Sequence, residues 1–137
     1  MKFLNRSNPQ FSDADVRQIA NNLFGLDGTF SPLSSERDQN IHITTPAGDG
    51  YVLKIAHRDE TASVIDFQAQ ALRHLEKIAP ELSVPRVVPT VDGEPFTTVT
   101  QTNGDVHLVR VVTYLAGEVN DKIVLRKRNL VSLGNRV

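Results

Sequence analysis

The chain has 137 residues, with 15 lysines and arginines against 16 aspartates and glutamates, 39% hydrophobic residues and no cysteine. That length suffices for one domain with a real core. The near-zero net charge argues against any general affinity for nucleic acid or anionic membrane, and the lack of cysteine excludes disulfides and thiolate chemistry.

Ser12 reads as a helix N-cap, with Asp15 where a capping box has its acid. Val16, Ile19, Ala20, Leu23 and Phe24 then recur at helical spacing and Gly25 supplies a stop, so an amphipathic helix is predicted, docked on another element. Asp13 and Asp15 are spaced as a metal pair, but in a helix's first turn they read as capping acids. Residues 29–33 and 40–45 read as strands, and 46–50 as a turn into the strand Tyr51-Val52-Leu53-Lys54-Ile55. Alternation sets Tyr51, Leu53 and Ile55 on one face and Val52 and Lys54 on the other. An ammonium emerging from an apolar surface calls for an anion. The plainer alternative is an edge-strand lysine with its stem along the sheet and its head in water.

Residues 59–78 have helical periodicity, closed by Pro80. Val64, Ile65, Ala71, Leu72 and Leu75 share one face, Gln68 falls at its centre and so needs a polar partner, and Asp66 points the opposite way. A turn at 91–95, a strand at 96–100 and the turn Thr102-Asn103-Gly104-Asp105 follow, the Asn-Gly pair being a hairpin signal because both residues tolerate positive φ. Residues 106–115 run almost wholly apolar, as a central strand does, until Ala116-Gly117-Glu118. Leu130, Leu133, Gly134 and Val137 have the spacing of a helical face with neither cap nor breaker after it, which reads as an element cut short. The fold class expected is α+β: one antiparallel sheet of about five strands, a helix packed on it, an extra helix before it and a truncated one at the C-terminal end.

A lysine on an apolar third strand, after a hairpin with a polar loop, is the arrangement in which protein kinases hold the α/β-phosphates of ATP. Taken in order, Leu33-Ser34-Ser35-Glu36-Arg37-Asp38-Gln39-Asn40, the Lys54 strand, Phe67-Gln68-Ala69-Gln70-Ala71-Leu72 and Val112-Thr113-Tyr114-Leu115-Ala116-Gly117 make the chain similar to the aminoglycoside phosphotransferase/choline kinase family. Its hydroxylysine-kinase-like and homoserine-kinase-like members are the nearest in pattern, along with the phosphotransferase domain fused to class III aminotransferases.

The resemblance implies a protein-kinase-like N-terminal lobe at 27–116, after a helical extension at 1–26 and before a linker at 117–137 leading to a second lobe. It implies that Ser35, Arg37, Gln39 and Asn40 lie on a phosphate-covering loop, that Lys54 meets the α/β-phosphates, and that Val52 packs on adenine. Thr113, Tyr114 and Leu115 match the hinge that pairs with the adenine edge. Gln68 stands where the family's lysine-pairing glutamate commonly sits; its amide carbonyl can accept from an ammonium, more weakly than a carboxylate would. ATP and Mg2+ are the implied cofactors of the complete enzyme, and a small hydroxyl-bearing amine or amino-acid-like molecule its substrate. The catalytic and metal-binding aspartates belong to the other lobe, so no catalytic residue is assigned in this chain.

His42, His57, His74 and His107 are scattered without ligand spacing, Arg126-Lys127-Arg128 reads as a solvated helix face, and Ser34 and Ser35 have no nearby base. No apolar run reaches membrane-spanning length and no leader follows Met1, so a cytoplasmic setting is expected. Two other readings stand beside the phosphotransferase lobe: a non-catalytic kinase-like module for dimerisation or docking beside a pyridoxal-phosphate aminotransferase, favoured by Gln68, and an unrelated α+β binding domain. Self-association is expected because the surface facing a second lobe would be apolar.

Overall fold

The structure, a computed structural model, describes residues 8–115. The segment 117–137 and its helical face lie outside the described residues. Helix α1 (Asp13–Phe24) precedes strands β1 (Thr29–Leu33), β2 (Gln39–Thr44) and β3 (Gly50–Ile55). Helix α2 (Ala62–Ile78) follows, then β4 (Val87–Val88), β5 (Thr97–Thr100) and β6 (Val106–Thr113). The six strands form one antiparallel sheet in the order β1-β2-β3-β6-β4, with β5 also paired to β6. The predicted α+β class holds. The extra strand is β4, whose two residues are too few to carry a periodicity of their own.

The ends of α1 follow from its caps. The Ser12 hydroxyl accepts from the Asp15 backbone N–H at 3.1 Å, and Gly25 ends the helix at φ 67°, a left-handed conformation that glycine adopts without Cβ strain. The helix buries Val16, Ile19, Ala20 and Phe24. It therefore docks on the sheet, as its amphipathic pattern predicts, and shares the main core.

Strand alternation sorts the sheet into two unlike faces. Ile41 and Ile43 of β2, Leu53 and Ile55 of β3, and Val109 and Val111 of β6 form one core with α1. Asn40, His42, Val52, Lys54, Arg110 and Val112, at the alternate positions, belong to the other face, where Val52 and Val112 pack with Leu72 of α2. Helix α2 is capped by Thr61, whose side chain accepts from the Val64 N–H at 3.4 Å. Its buried stripe is Ile65, Ala69 and Leu72, whereas Val64 and Ala71 are exposed. The stripe is thus rotated from the expected face. The Ile65–Ala69–Leu72 spacing of four and three is as regular as the one read from sequence.

The expected hairpin joins β5 to β6, but its turn does not set both Asn103 and Gly104 at positive φ. Only Gly104 takes a positive φ, 94°, while the Asn103 side chain accepts from the Asp105 N–H at 2.9 Å. The connection spans residues 101–105, closed by Gln101 N–H to Asp105 C=O at 2.8 Å, and the longer loop leaves Asn103 free to form an Asx-type bond. Among the described residues no helix is long and apolar enough to cross a membrane.

Candidate functional site

The antiparallel register places Asn40 opposite Lys54, and Lys54 opposite Arg110, in one row across β2, β3 and β6. Two residues further along, about 7 Å at strand rise, His42, Val52 and Val112 make a second row. Beyond it Tyr114 stacks against His42, ring centroids 4.1 Å apart and planes tilted by 32°. The strand between them must be thin there: a Cβ on Gly50 would lie 3.2 Å from Tyr114 Cβ and 3.3 Å from His42 Nε2. One end of this face is therefore cationic and the other flat and aromatic.

A cavity of about 340 Å³ opens over the cationic end. Lys54 and Arg110 of the sheet and Gln68, Phe67 and His74 of α2 line it, with Leu72, Leu75 and Val112 among its apolar walls. Two acceptors near the lysine are buried without a hydrogen-bond partner, Asn40 Oδ1 and Gln68 Oε1. The expected pair is thus half assembled. Gln68 shares a cavity wall with Lys54, but its carbonyl accepts nothing.

Arg110 is the charge the sequence reading passed over. It is half-buried, and burial pulls its guanidinium below its ordinary value, against the opposing fields of Asp38 and Glu60. Arginine nevertheless stays charged at any physiological pH. The available signal was its position as the one cation in an otherwise apolar strand, at an even offset from the residues that share its face.

The loop 34–38 is fastened to the β3–α2 connection instead of lying free. Asp38 Oδ1 accepts from the His57 N–H at 3.0 Å, and Arg37 Nη2 pairs with Asp59 Oδ2 at 3.4 Å in an exposed ion pair. Ser35 is exposed. Gln39 is the clearest departure from the expected phosphate contact. Its amide donates to Phe11 C=O and accepts from Phe11 N–H, both at 2.8 Å, so it clasps the segment ahead of α1. Both halves of the amide are taken by backbone.

The hinge residues are likewise partly committed. The Thr113 N–H donates to Arg86 C=O and its hydroxyl accepts from Arg86 N–H, both at 2.9 Å, while Tyr114 N–H donates to Gly50 C=O at 2.9 Å. Both N–H groups are thus engaged by backbone carbonyls. The hinge face is left with Leu115 and with the Tyr114 ring. Arg86 also reaches Pro80 C=O at 2.6 Å and Glu76 Oε2 at 3.2 Å, tying the end of α2 to the end of β6. Val52 is buried against Leu72 and Val112.

The family model for APH, the phosphotransferase enzyme family, matches residues 29–135. The chain belongs to this family. A hydroxylysine kinase of Danio rerio is 29% identical over 134 residues, which cover 93% of this chain and 37% of that protein. Among solved structures, an amicoumacin kinase in complex with AMP-PNP, Ca2+ and Ami superposes with a TM-score of 0.66 at 20% identity, covering 79% of this chain and 32% of its own. A microcompartment-associated aminopropanol kinase superposes at 0.63 with 19% identity, covering 80% and 34%. The chain has the fold of a kinase-like N-terminal lobe and spans about a third of the length of the relatives it matches.

Proposed function

We propose that this chain is the ATP-binding small lobe of a phosphotransferase that acts on a hydroxyl of a small amine or amino-acid-like molecule. The observation that carries the reading is Lys54 beside Gln68, opening into one cavity on a sheet whose other face buries the main apolar core. In this reading Lys54 holds the α/β-phosphates, Gln68 steadies Lys54 through its carbonyl, Ser35 and Arg37 overhang the phosphates, and Asn40 presents its amide to them. Val52 and the Tyr114–His42 pair offer the flat apolar surface an adenine needs, and the Leu115 backbone offers its edge. Bound ATP supplies the phosphoryl group; these residues orient it and neutralise charge, which is most of what phosphoryl transfer asks of a protein.

Among the described residues no group of three His, Asp or Glu side chains could hold a metal ion. Mg2+ would then be held by the remainder of the complete enzyme, and this lobe by itself is expected to bind nucleotide weakly and transfer nothing. Calorimetry with AMP-PNP tests the reading: binding that Lys54→Met abolishes supports it, and binding indifferent to that substitution overturns it. The unpartnered Gln68 Oε1 and the committed N–H groups of Thr113 and Tyr114 favour a second reading, a non-catalytic kinase-like module that self-associates or docks beside an aminotransferase. Light scattering on the purified chain separates the two, because that module predicts a concentration-dependent dimer with no AMP-PNP heat.

A further inference from the structure

The β2–β3 ladder ends at the pair Gln39–Ile55, and one step beyond it the Asp38 carboxylate takes the His57 N–H at 3.0 Å. A side chain thus continues the pairing where backbone pairing stops. Alternation selects the residue: Gln39 turns to the α1 side to clasp Phe11, and Asp38, like Asn40, turns to the other. The bond is half-buried and its acceptor is charged, which places it among the stronger kinds of hydrogen bond. The outer pair Arg37–Asp59, at 3.4 Å and more than half exposed on both sides, contributes little by comparison.

His57 is also where α2 is set. Its C=O accepts from the Glu60 N–H at 3.0 Å, Glu60 Oε2 returns to 3.6 Å from its Nε2, and Thr61 next caps the helix. Gln68 follows about two turns further on and lines the cavity with Lys54. One carboxylate therefore fastens together the end of the loop, the exit of β3 and the start of α2. Resting on the nucleotide reading above, we infer that Asp38 is a positioning residue whose bond to His57 couples the loop 34–38 to α2, so that the loop and Gln68 keep one spacing across the phosphate site. Asp38 touches no phosphate in this account; it acts through the backbone it holds.

The test compares the wild-type chain with Asp38→Ala, Asp38→Asn and Asp59→Asn by amide exchange and by NMR titration with AMP-PNP and with adenosine. Asp38→Ala should speed exchange at His57, Val64 and Ile65 together and weaken AMP-PNP, each by roughly tenfold, the scale of one charge-assisted hydrogen bond, while adenosine binding stays unchanged. Asp38→Asn, whose carbonyl can still accept from the His57 N–H, should recover most of both losses. Asp59→Asn should change affinity by less than about threefold, and a loss equal to that of Asp38→Ala overturns the assignment to Asp38. Faster exchange at His57 with Val64 and Ile65 as protected as before overturns the coupling, and joint loosening with AMP-PNP affinity unchanged overturns the positioning role; both leave the nucleotide reading standing. A wild-type chain that binds no AMP-PNP overturns the nucleotide reading, and exchange then decides alone: joint loosening upholds the coupling and separate loosening overturns it. Should the alanine variant not fold, exchange in the wild type decides, because coupled segments open with a single free energy and uncoupled ones with two.

Discussion

The two faces of the sheet are built to opposite rules. On the α1 face Ile43, Leu53, Ile55, Val109 and Val111 are all fully buried, with no charged side chain in the cluster. On the α2 face three buried apolar residues, Val52, Leu72 and Val112, share the surface with Lys54, Arg110, Asn40 and Gln68, two of whose polar atoms lack partners. A buried acceptor without a donor costs about 1–3 kcal/mol, so the second face holds its residues at some expense to stability. One face of each strand secures the fold, and the other carries the polar groups to which the proposed function assigns binding.

The sharpest way to break this division is to empty each face in turn. Leu53→Ala should cost about 3 kcal/mol, because a fully buried leucine leaves a cavity that cannot collapse under a rigid strand. Val52→Ala, one residue away and facing the open side, removes fewer methyl groups and should cost distinctly less. Urea denaturation reads both, and equal losses would mean that the two faces are packed alike.

Next in size is Gln39. Gln39→Ala leaves both Phe11 backbone groups without partners and should cost about 2 kcal/mol while leaving AMP-PNP affinity unchanged. A loss of affinity at constant stability would return Gln39 to the phosphate loop.

Much of the division is legible in the sequence because it is local. Period-two alternation puts Lys54 and Leu53 on opposite faces without reference to anything distant, and Ser12 and Gly25 bound α1 through bonds within one turn. What escapes is what depends on register. Whether Arg110 faces Lys54 or solvent is set by pairing between strands joined through α2, β4 and β5, so the local signal marks the cation but not the residue it meets. The fates of Gln39 and of the Thr113 and Tyr114 N–H groups escape for the same reason: their partners, Phe11, Arg86 and Gly50, lie far along the chain. The rotated stripe of α2 is a subtler case, since two helical faces fit its composition and only the sheet chooses between them.

Gln68→Glu sharpens the comparison with a gain instead of a loss. A carboxylate beside Lys54 and Arg110 should add about 1 kcal/mol at neutral pH. Those cations would depress its folded pKa below the unfolded value of about 4.3, so the gain is present above that pH and disappears as pH falls through the folded value. Melts at pH 7 and pH 3 check the sign. Smallest is Thr61→Ala, which removes the α2 cap at a cost of about 1 kcal/mol and should loosen the open face while the α1 face keeps its amide-exchange protection.

The central claim is that ligand binding belongs to the α2 face alone. An amide-resolved NMR titration of the chain with AMP-PNP tests it most directly. The account predicts perturbations concentrated at Asn40, Lys54, Gln68, Arg110 and Tyr114, with Val16, Ile19, Ala20 and Phe24 of α1 unmoved. Perturbations centred on α1, or spread without regard to the strand register, would contradict it.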